Sequence, residues 1–333
     1  MITIIIPIYN NAAVLERCLK SAQEQTYRNI EVLMINDGSQ DNSEEICKRF
    51  EEKDKRFRYI YQDNGGVSVA RNTGLCNMRG DFFTFVDSDD WIEPEYCEKL
   101  INEAESSDSD VVFSGINYWS NGVKSPQQES AFADIVENRR VEHFLIGHKE
   151  YAIGSSCRVL FRRDKYNDIR FDVHFHIYED LIFLLTALSM TNKMSYVSDC
   201  LYNYDLSQVN YFKKYNRDNF FDICYNIGNK IYELLMRFGY DDWAKAELFK
   251  EYCLAVDWLY VTAEDRSQMF KKLKSHVLAK EFCTKENYHN YKRLYTHKDL
   301  KAKAKAMLLY KKHFRAFLLY RGVRGKIHKD NNG

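Results

Sequence analysis

The sequence predicts an α/β fold with a mainly parallel central sheet, followed by an α-helical C-terminal region. Over the first 115 residues, short apolar runs alternate with amphipathic segments, whereas beyond about residue 211 the pattern is helical. Ile2–Ile8 is an apolar run, which is typical of a strand covered on both faces. Strands that alternate with helices form parallel sheets with right-handed crossovers.

The elements follow in order along the chain. After the first strand, further strands are predicted at 30–35, 57–61, 82–86 and 111–114. Helices are predicted from Asn10 or Asn11 to about 25, from 41–43 to 50, over 67–78, and from near Pro94. A mixed region follows, with a helix at 179–190 and short strands at 158–162, 194–197 and 201–204. The C-terminal region has helical patterns at 220–238, 243–261 and 300–320.

The charge of the chain is unevenly distributed. Its 48 Lys and Arg balance 48 Asp and Glu, yet residues 299–329 carry ten Lys or Arg against the single acid Asp299. Because apolar residues recur on one side of 300–320, this stretch predicts a basic amphipathic helix at an anionic membrane surface. A packed helix with a solvated basic face is the alternative. No nucleic-acid-binding motif accompanies the stretch, so a nucleic acid partner is not expected.

The composition indicates a cytoplasmic protein that is either soluble or peripheral on the inner face of the plasma membrane. Nine widely spaced cysteines without a CxxC pair favour free thiols in a reducing compartment over disulfides or a zinc site. The N-terminus lacks the basic region of a signal peptide. No apolar run reaches the roughly 18 residues that a transmembrane helix needs.

Polar clusters follow four of the predicted strands. In parallel sheets, ligands bind outside the carboxyl ends of the strands, so these clusters should share one rim. We therefore expect a single binding site on that rim. The clusters are Tyr9-Asn10, Asn36-Asp37-Gly38-Ser39, Asp63-Asn64-Gly65-Gly66 and Asp87-Ser88-Asp89-Asp90.

Asp87-Ser88-Asp89 follows the apolar strand predicted at 82–86. Two carboxylates at i and i+2 on a turn can converge on one divalent cation, and oxygen ligands favour Mg²⁺ or Mn²⁺. Such an ion neutralises the charge of a departing nucleotide diphosphate. An ordinary acidic turn or helix cap is the alternative. We interpret the triplet as the site of a metal-bound diphosphate.

Three further rim residues are candidate nucleotide contacts. The Asp37 carboxylate can accept the imide N–H of a base beside a tight glycine turn, with helix capping as the alternative. Tyr9 can stack on the same base or pack as a rim aromatic. Arg71 lies one turn into the helix after Gly65-Gly66, where it can reach a pyrophosphate or pair with Asp37 or Asp87. The turn matches neither the Rossmann nor the P-loop pattern.

Glu179 and Asp180 begin an apolar helix. Because the helix dipole stabilises an anion at this position, capping is one interpretation. An inverting transfer, however, needs a carboxylate to deprotonate an acceptor hydroxyl, and these acids follow a loop containing His174 and His176. The residues alone leave both interpretations open.

Together, these stretches resemble the bacterial family 2 glycosyltransferases of the GT-A fold. The resemblance covers about residues 1–205, and the motifs are highly specific in this combination and order. They are IIIPIYN at 4–10, INDGSQD at 35–41, GGVSVARN at 65–72, GDFFTFVDSDDW at 80–91 and YED at 178–180.

The resemblance implies a role for each motif. It implies a nucleotide-sugar donor, most often UDP-linked, and inversion at the anomeric carbon. By this resemblance Asp180 is the catalytic base, and Asp89 binds the metal, Mn²⁺ or Mg²⁺. The nucleotide and donor contacts it implies are Pro7, Tyr9, Asp37, Arg71, Asp87 and Ser88.

The chain departs from the family pattern in two places. A Lys often precedes the stretch Leu160-Phe161-Arg162-Arg163, but this chain has Val159 there, so Arg158 is expected to supply the charge. Where Tyr-x-Tyr-Arg is common, the chain reads Tyr202-Asn203-Tyr204-Asp205. The expected contacts of the acceptor or the diphosphate are Glu179, Arg158 and His176.

The sequence thus predicts an inverting, metal-dependent transfer of a sugar from a nucleotide diphosphate to a hydroxyl of a glycan or lipid-linked glycan. The expected setting is bacterial surface polysaccharide synthesis, either of capsule or of lipooligosaccharide. The catalytic domain is expected at 1–210, with a nucleotide-binding half at 1–115 and an acceptor half at 116–210, and the helical region at 211–333.

Two alternatives belong to other classes. A nucleotidyltransferase should carry a glycine-rich basic loop after the first strand, where this chain has Tyr9-Asn10-Asn11-Ala12. A catalytically silent nucleotide-sugar-binding scaffold would not need the acids Asp89 and Asp180, which are present.

Overall fold

The chain forms two compact units, Met1–Tyr211 and Phe212–Gly333. The structure is a computed structural model, and it describes residues 1–120, 122–127, 155–208, 220–262, 276–295, 306–307 and 309–310.

The first unit is built on a nine-stranded sheet. Its strands are β1 Ile2–Ile8, β2 Ile30–Asp37, β3 Phe57–Gln62, β4 Phe82–Phe85, β5 Trp91–Ile92, β6 Val111–Ser120, β7 Val123–Gln127, β8 Val159–Arg162 and β9 Met194–Asp205. They lie in the order β3-β2-β1-β4-β8-β6-β9-β5, and β7 pairs with β6. The pairs among β1 to β4 are parallel, as is β6 with β9. In contrast, β8 runs antiparallel to β4 and β6, β5 to β9, and β7 to β6.

Helices connect these strands. They are α1 Ala12–Gln23, α2 Ser43–Lys53, α3 Val67–Asn77, α4 Tyr96–Ser106, α5 Arg163–Tyr166 and α6 Glu179–Leu188. Every residue of β1 and β2 is buried, as expected for central strands covered on both faces. Helix α1 buries the apolar side that its sequence pattern predicts, namely Leu15, Cys18, Leu19 and Ala22.

The predicted α/β fold class is confirmed, and the sheet differs from the prediction in its second half. The two strands predicted at 194–197 and 201–204 are one strand, β9. A bulge at Ser114–Ile116 lets both halves of β9 pair with β6. Gly115 permits this because a Cβ at that position would lie 2.9 Å from the Asp199 carbonyl oxygen. The two-residue strand β5 and the strand β7 are additions that the sequence pattern did not predict.

A close approach between α3 and β1 brings the sequence motifs together. A Cβ on Gly74 would lie 2.3 Å from Cγ2 of Ile5, so only glycine allows the helix this close to the strand. At the other end, Gly66 has a φ of 89° immediately before α3, a backbone conformation that glycine adopts without strain. Helix α3 therefore starts at the rim where β1, β2 and β4 end.

The second unit is helical where it is described. Its helices are α7 Phe220–Arg237, α8 Asp241–Thr262, α9 Val277–Glu281 and α10 Lys285–Tyr295. Its core includes Ile231, Leu235, Phe249 and Tyr252. The helix predicted at 300–320 lies outside the described residues except for 306, 307, 309 and 310, which are helical. Among the described residues, no helix is long and apolar enough to cross a membrane.

Candidate active site

The acidic triplet lies on the turn between β4 and β5. The Asp87 backbone N–H donates to the Tyr202 hydroxyl at 3.2 Å, and that hydroxyl donates to Oδ2 of Asp90 at 2.7 Å. Nδ2 of Asn11 donates to Oγ of Ser88 at 2.6 Å. The side chains of Asn11, which precedes α1, and of Tyr202 on β9 thus hold the turn that carries the triplet.

Arg17 holds the same turn from the side of α1. Its guanidinium donates to the Asp89 carbonyl at 2.7 Å and pairs with Asp205 at 2.8 Å. It also lies over the Trp91 ring, 3.7 Å from the centroid. Asp205 stands where the family often has Arg, so its pairing with Arg17 gives this departure a structural role beside the triplet.

The carboxylate of Asp89 fits a cation. Burial and the neighbouring Asp87 charge raise the pKa of Asp89 to about 6. In the described part of the chain, no Lys, Arg or His nitrogen forms an ion pair with this carboxylate. A half-buried carboxylate without a cationic partner carries a desolvation cost, and a bound divalent ion would remove that cost. The described residues do not bring together three His, Cys, Asp or Glu side chains for a metal, so donor phosphates or water would complete its coordination.

Arg71 connects Asp87 of the acidic triplet to Asp180, the predicted general base. Its guanidinium is 2% exposed and lies 2.9 Å from Asp87 Oδ1, 3.0 Å from Asp180 Oδ1 and 3.6 Å from Glu179 Oε1. Phe171 covers it, with the ring centroid 5.1 Å from Cζ. Nε and Nη1 donate no aligned hydrogen bond within the described residues. One buried cation therefore joins three carboxylates, with Nη1 facing Asp180 and Glu179 and Nη2 bonded to Asp87.

Asp180 is held at the start of α6. The Ser156 hydroxyl donates to its Oδ1, the oxygen that also contacts Arg71. Tyr178 precedes the helix with φ 60° and ψ 10°, a left-handed conformation that is unusual for a residue with a side chain. This turn directs Glu179 and Asp180 toward Arg71.

Glu179 and Asp180 share a buried, acidic environment. Burial and the Asp180 charge raise the pKa of Glu179 to about 7, although Arg71 opposes the shift. Burial and the Asp87 charge likewise raise the pKa of Asp180, against the effects of Arg71 and Ser156. A general base works best with a pKa near the operating pH, so the raised values suit this role.

The raised pKa of Glu179 predicts a pH-dependent stability. A carboxyl group with a higher pKa in the folded state binds more protons when folded, so its contribution to the unfolding free energy falls as the pH rises. For Glu179 this loss of stability occurs between pH 4.5 and about pH 7, the pKa values of the unfolded and folded states. We expect Glu179→Gln to be more stable than the parent at pH 8, by up to about 3 kcal/mol, with little difference near pH 4.5.

Urea denaturation at both pH values measures this difference. Glu105→Gln, which changes an exposed glutamate of α4, is the control and should leave the pH dependence unchanged. Identical pH dependence in Glu179→Gln and the parent would show that Glu179 does not titrate in this way.

Asp37 organises the neighbouring turn. Its Oδ1 accepts from Gln62 Nε2 at 2.7 Å and from the Gly65 N–H at 2.9 Å, and its Oδ2 accepts from the Gly66 N–H at 2.8 Å. These bonds use three of the roughly four lone-pair positions of a carboxylate. One position on Oδ2 is left for a further donor. Asp37 therefore shapes the turn that starts α3, and it does not pair with Arg71.

The other predicted donor contacts lie on the same rim. Pro7 is buried in β1, opposite Ile35 of β2. Tyr9 follows β1 and is 46% exposed, so its ring is accessible to a ligand.

Two predicted contacts are not brought into the cluster. The Arg158 side chain is 1% exposed, and its Nη1 donates to the Ser114 carbonyl inside the sheet at 3.1 Å. In this conformation it does not reach the surface. His176 is exposed on the loop before α6, and Asp172 of that loop contacts His174.

Four residues that hold the site were missed as site residues in the sequence. Tyr202 and Asp205 were noticed only as a departure from the family pattern. Arg17 and Ser156 carried no motif signal, since their partners lie 72, 188 and 24 positions away along the chain. Only the tertiary structure identifies them.

Comparisons with known proteins identify the family of the chain. Residues 3–170 match the model of glycosyl transferase family 2. The chain is 37% identical over 212 residues to glycosyltransferase GlyA of Streptococcus pneumoniae, covering 61% of this chain and 30% of that protein. It is 31% identical over 226 residues to the putative glycosyltransferase EpsH of Bacillus subtilis, covering 66% of this chain and 64% of that protein. The chain therefore spans less than two thirds of these curated relatives.

The fold also has a solved counterpart. The structure of residues 1–349 of Staphylococcus aureus TarS, in complex with UDP-GlcNAc, aligns with a TM-score of 0.65 at 19% identity. The alignment covers 98% of this chain and 91% of that one, which confirms the predicted GT-A fold. Since the family model matches half of the chain, the protein belongs to glycosyl transferase family 2.

Proposed function

We propose that the protein transfers a glycosyl group from a nucleotide diphosphate donor to a hydroxyl of a glycan acceptor, with inversion at the anomeric carbon. The observation that carries this proposal is the Arg71 cluster. There, one guanidinium lies 2.9 Å from Asp87 on the donor side and 3.0 Å from Asp180 on the acceptor side. The proposed donor-binding carboxylate and the proposed general base thus contact the same guanidinium.

Several features of the rim support a nucleotide donor. Nη2 of Arg71 donates to Asp87 Oδ1 at 2.9 Å, which holds this carboxylate in place on the donor side of the rim. Asp37 keeps one acceptor position for the imide N–H of a base, and the Tyr9 ring is free to stack on that base. The UDP-GlcNAc bound to TarS favours a UDP-sugar as the donor.

The proposed chemistry is an in-line displacement. Asp180 accepts the proton of the acceptor hydroxyl while that oxygen forms its bond to the anomeric carbon. The bond from the anomeric carbon to the diphosphate oxygen breaks, and the nucleotide diphosphate leaves with the electron pair. An α-linked donor then gives a β-linked product. Mn²⁺ or Mg²⁺ held by Asp89 would supply positive charge to the diphosphate as it leaves.

Donor binding tests the proposal directly. Nucleotide sugars are added to the protein with and without Mn²⁺, and the melting temperature is measured. Because a ligand that binds only the folded state stabilises it, we expect one UDP-sugar to raise the melting temperature more with Mn²⁺ than without. Asp89→Asn should lose that Mn²⁺-dependent increment. If no nucleotide sugar stabilises the parent protein, the proposed donor is wrong.

We further propose a membrane-borne or lipid-linked glycan as the acceptor, in surface polysaccharide synthesis. The support is the basic stretch 299–329, which would hold the protein at the anionic inner face of the plasma membrane. Deletion of 299–333 should then release the protein from vesicles containing anionic lipid. Unchanged co-sedimentation of the truncated protein would contradict this assignment.

A further inference from the structure

The environment of Asp180 distinguishes its two carboxylate oxygens. Both the Ser156 hydroxyl and Nη1 of Arg71 contact Oδ1. Oδ2 has neither of these partners, and the Ser156 backbone N–H is a third donor to the carboxylate. The side chain is 22% exposed, so the carboxylate is accessible at the rim even though one of its oxygens is engaged.

Ser156, which donates to Asp180, is a buried part of the first unit. It is completely buried and lies just before β8, outside every motif that predicted the site. A buried hydroxyl needs a hydrogen-bond partner, and here the partner is a carboxylate. A bond from a hydroxyl to a carboxylate is charge-assisted and is about twice as strong as a bond between neutral groups.

We propose that Ser156 is a positioning residue that, together with Arg71, fixes Asp180 so that Oδ2 is the oxygen that receives the acceptor proton. This inference rests on the proposed role of Asp180 as the base. The two contacts fix the carboxylate plane from one side, and the Tyr178 turn fixes the start of the helix. A base must present its oxygen within hydrogen-bond reach of the hydroxyl, so rotation of the carboxylate would lower the transfer rate.

The charged groups around Asp180 allow a pH readout. Arg71 stabilises its anionic form, whereas Asp87 and the buried Cys157 lie close enough to interact with it, and Glu179 is its neighbour on α6. The Ser156 hydroxyl also stabilises the anion, so it lowers the pKa of Asp180. On the acid side of its pH profile, kcat falls as the base becomes protonated. Removing the hydroxyl should therefore move this acid limb of the kcat profile to higher pH.

The test compares Ser156→Ala, Ser156→Thr and the control Ser114→Ala. Ser114 is also a fully buried serine, but its hydroxyl donates to the Arg158 carbonyl. With the donor found by melting-temperature screening, we expect Ser156→Ala to lower the plateau kcat about 10- to 100-fold with the donor KM unchanged. Its acid limb should shift upward. Ser156→Thr, which keeps the hydroxyl, should recover most of kcat and the parental limb, and Ser114→Ala should keep both.

Three results separate the possible failures. If Ser156→Ala keeps the parental kcat and acid limb while Asp180→Asn is inactive, Ser156 does not position the base. An equal loss of kcat in Ser156→Ala and Ser114→Ala, without a shifted limb, reflects packing and also overturns the inference. If Asp180→Asn is as active as the parent, the proposed base itself is wrong.

Discussion

Replacing Asp180 by Asn lowers the rate of glycosyl transfer by an expected factor of about 10²–10⁴. The amide has the shape of the carboxylate, but it cannot accept the proton of an acceptor hydroxyl. Contacts with Ser156 and Arg71 can partly persist, so the fold and donor binding should be retained. The measurements are the initial rate of nucleotide diphosphate release with acceptor, and the melting-temperature shift with donor.

The control for this variant is Asp164→Asn. Asp164 is an exposed aspartate in the first turn of α5, so it matches Asp180 in residue type and helix position. We expect it to keep the parental rate. A transfer rate in Asp180→Asn within about threefold of the parent would contradict the assignment, since general-base catalysis contributes at least about 10².

Replacing Arg71 by Met should destabilise the protein by about 3–5 kcal/mol at pH 8. Arg71 is the buried cation among Asp87, Glu179 and Asp180, whose exposed fractions are 29%, 15% and 22%. Without it, the three carboxylates repel one another in a partly buried space. Urea denaturation of the parent and the variant measures the loss.

The sign of the pH effect gives this prediction a second readout. In Arg71→Met the folded-state pKa values of Glu179 and Asp180 rise further, because the cation that lowers them is gone. Protonation then relieves the repulsion, so the destabilisation should be smaller at pH 5 than at pH 8. Arg71→Lys keeps the charge and should lose less stability at pH 8. Equal urea midpoints for the parent and Arg71→Met at pH 8 would refute the role of Arg71 as the central cation.

The positions of the rim residues could be predicted because strand ends are encoded locally. Asp37, Asp87 and Tyr9 each follow an apolar run, and the topology of parallel strands places such residues on one edge. From the sequence, Arg71 could pair with either Asp37 or Asp87, and in the structure it pairs with Asp87. Asp37 instead accepts hydrogen bonds from the Gly65-Gly66 turn.

The residues that hold the candidate catalytic groups in place could not be predicted in this way. Ser156, Tyr202 and Arg17 act through hydrogen bonds to partners that are distant in sequence. Periodicity reports which face of an element is buried, and it carries no information on such pairs. Arg158 shows the converse, since a basic residue expected to contact the acceptor or the diphosphate instead donates to the Ser114 carbonyl inside the sheet.

The stereochemistry of donor hydrolysis tests the central claim most directly. Water can take the place of the acceptor hydroxyl, so the parent protein with its donor and Mn²⁺ should release free sugar slowly. Proton NMR of the first sugar released, before its anomers equilibrate, reports which face of the anomeric carbon was attacked. From an α-linked UDP-sugar, the account predicts β-sugar from the parent and none above background from Asp180→Asn. First release of α-sugar would contradict an inverting transfer with Asp180 as its base.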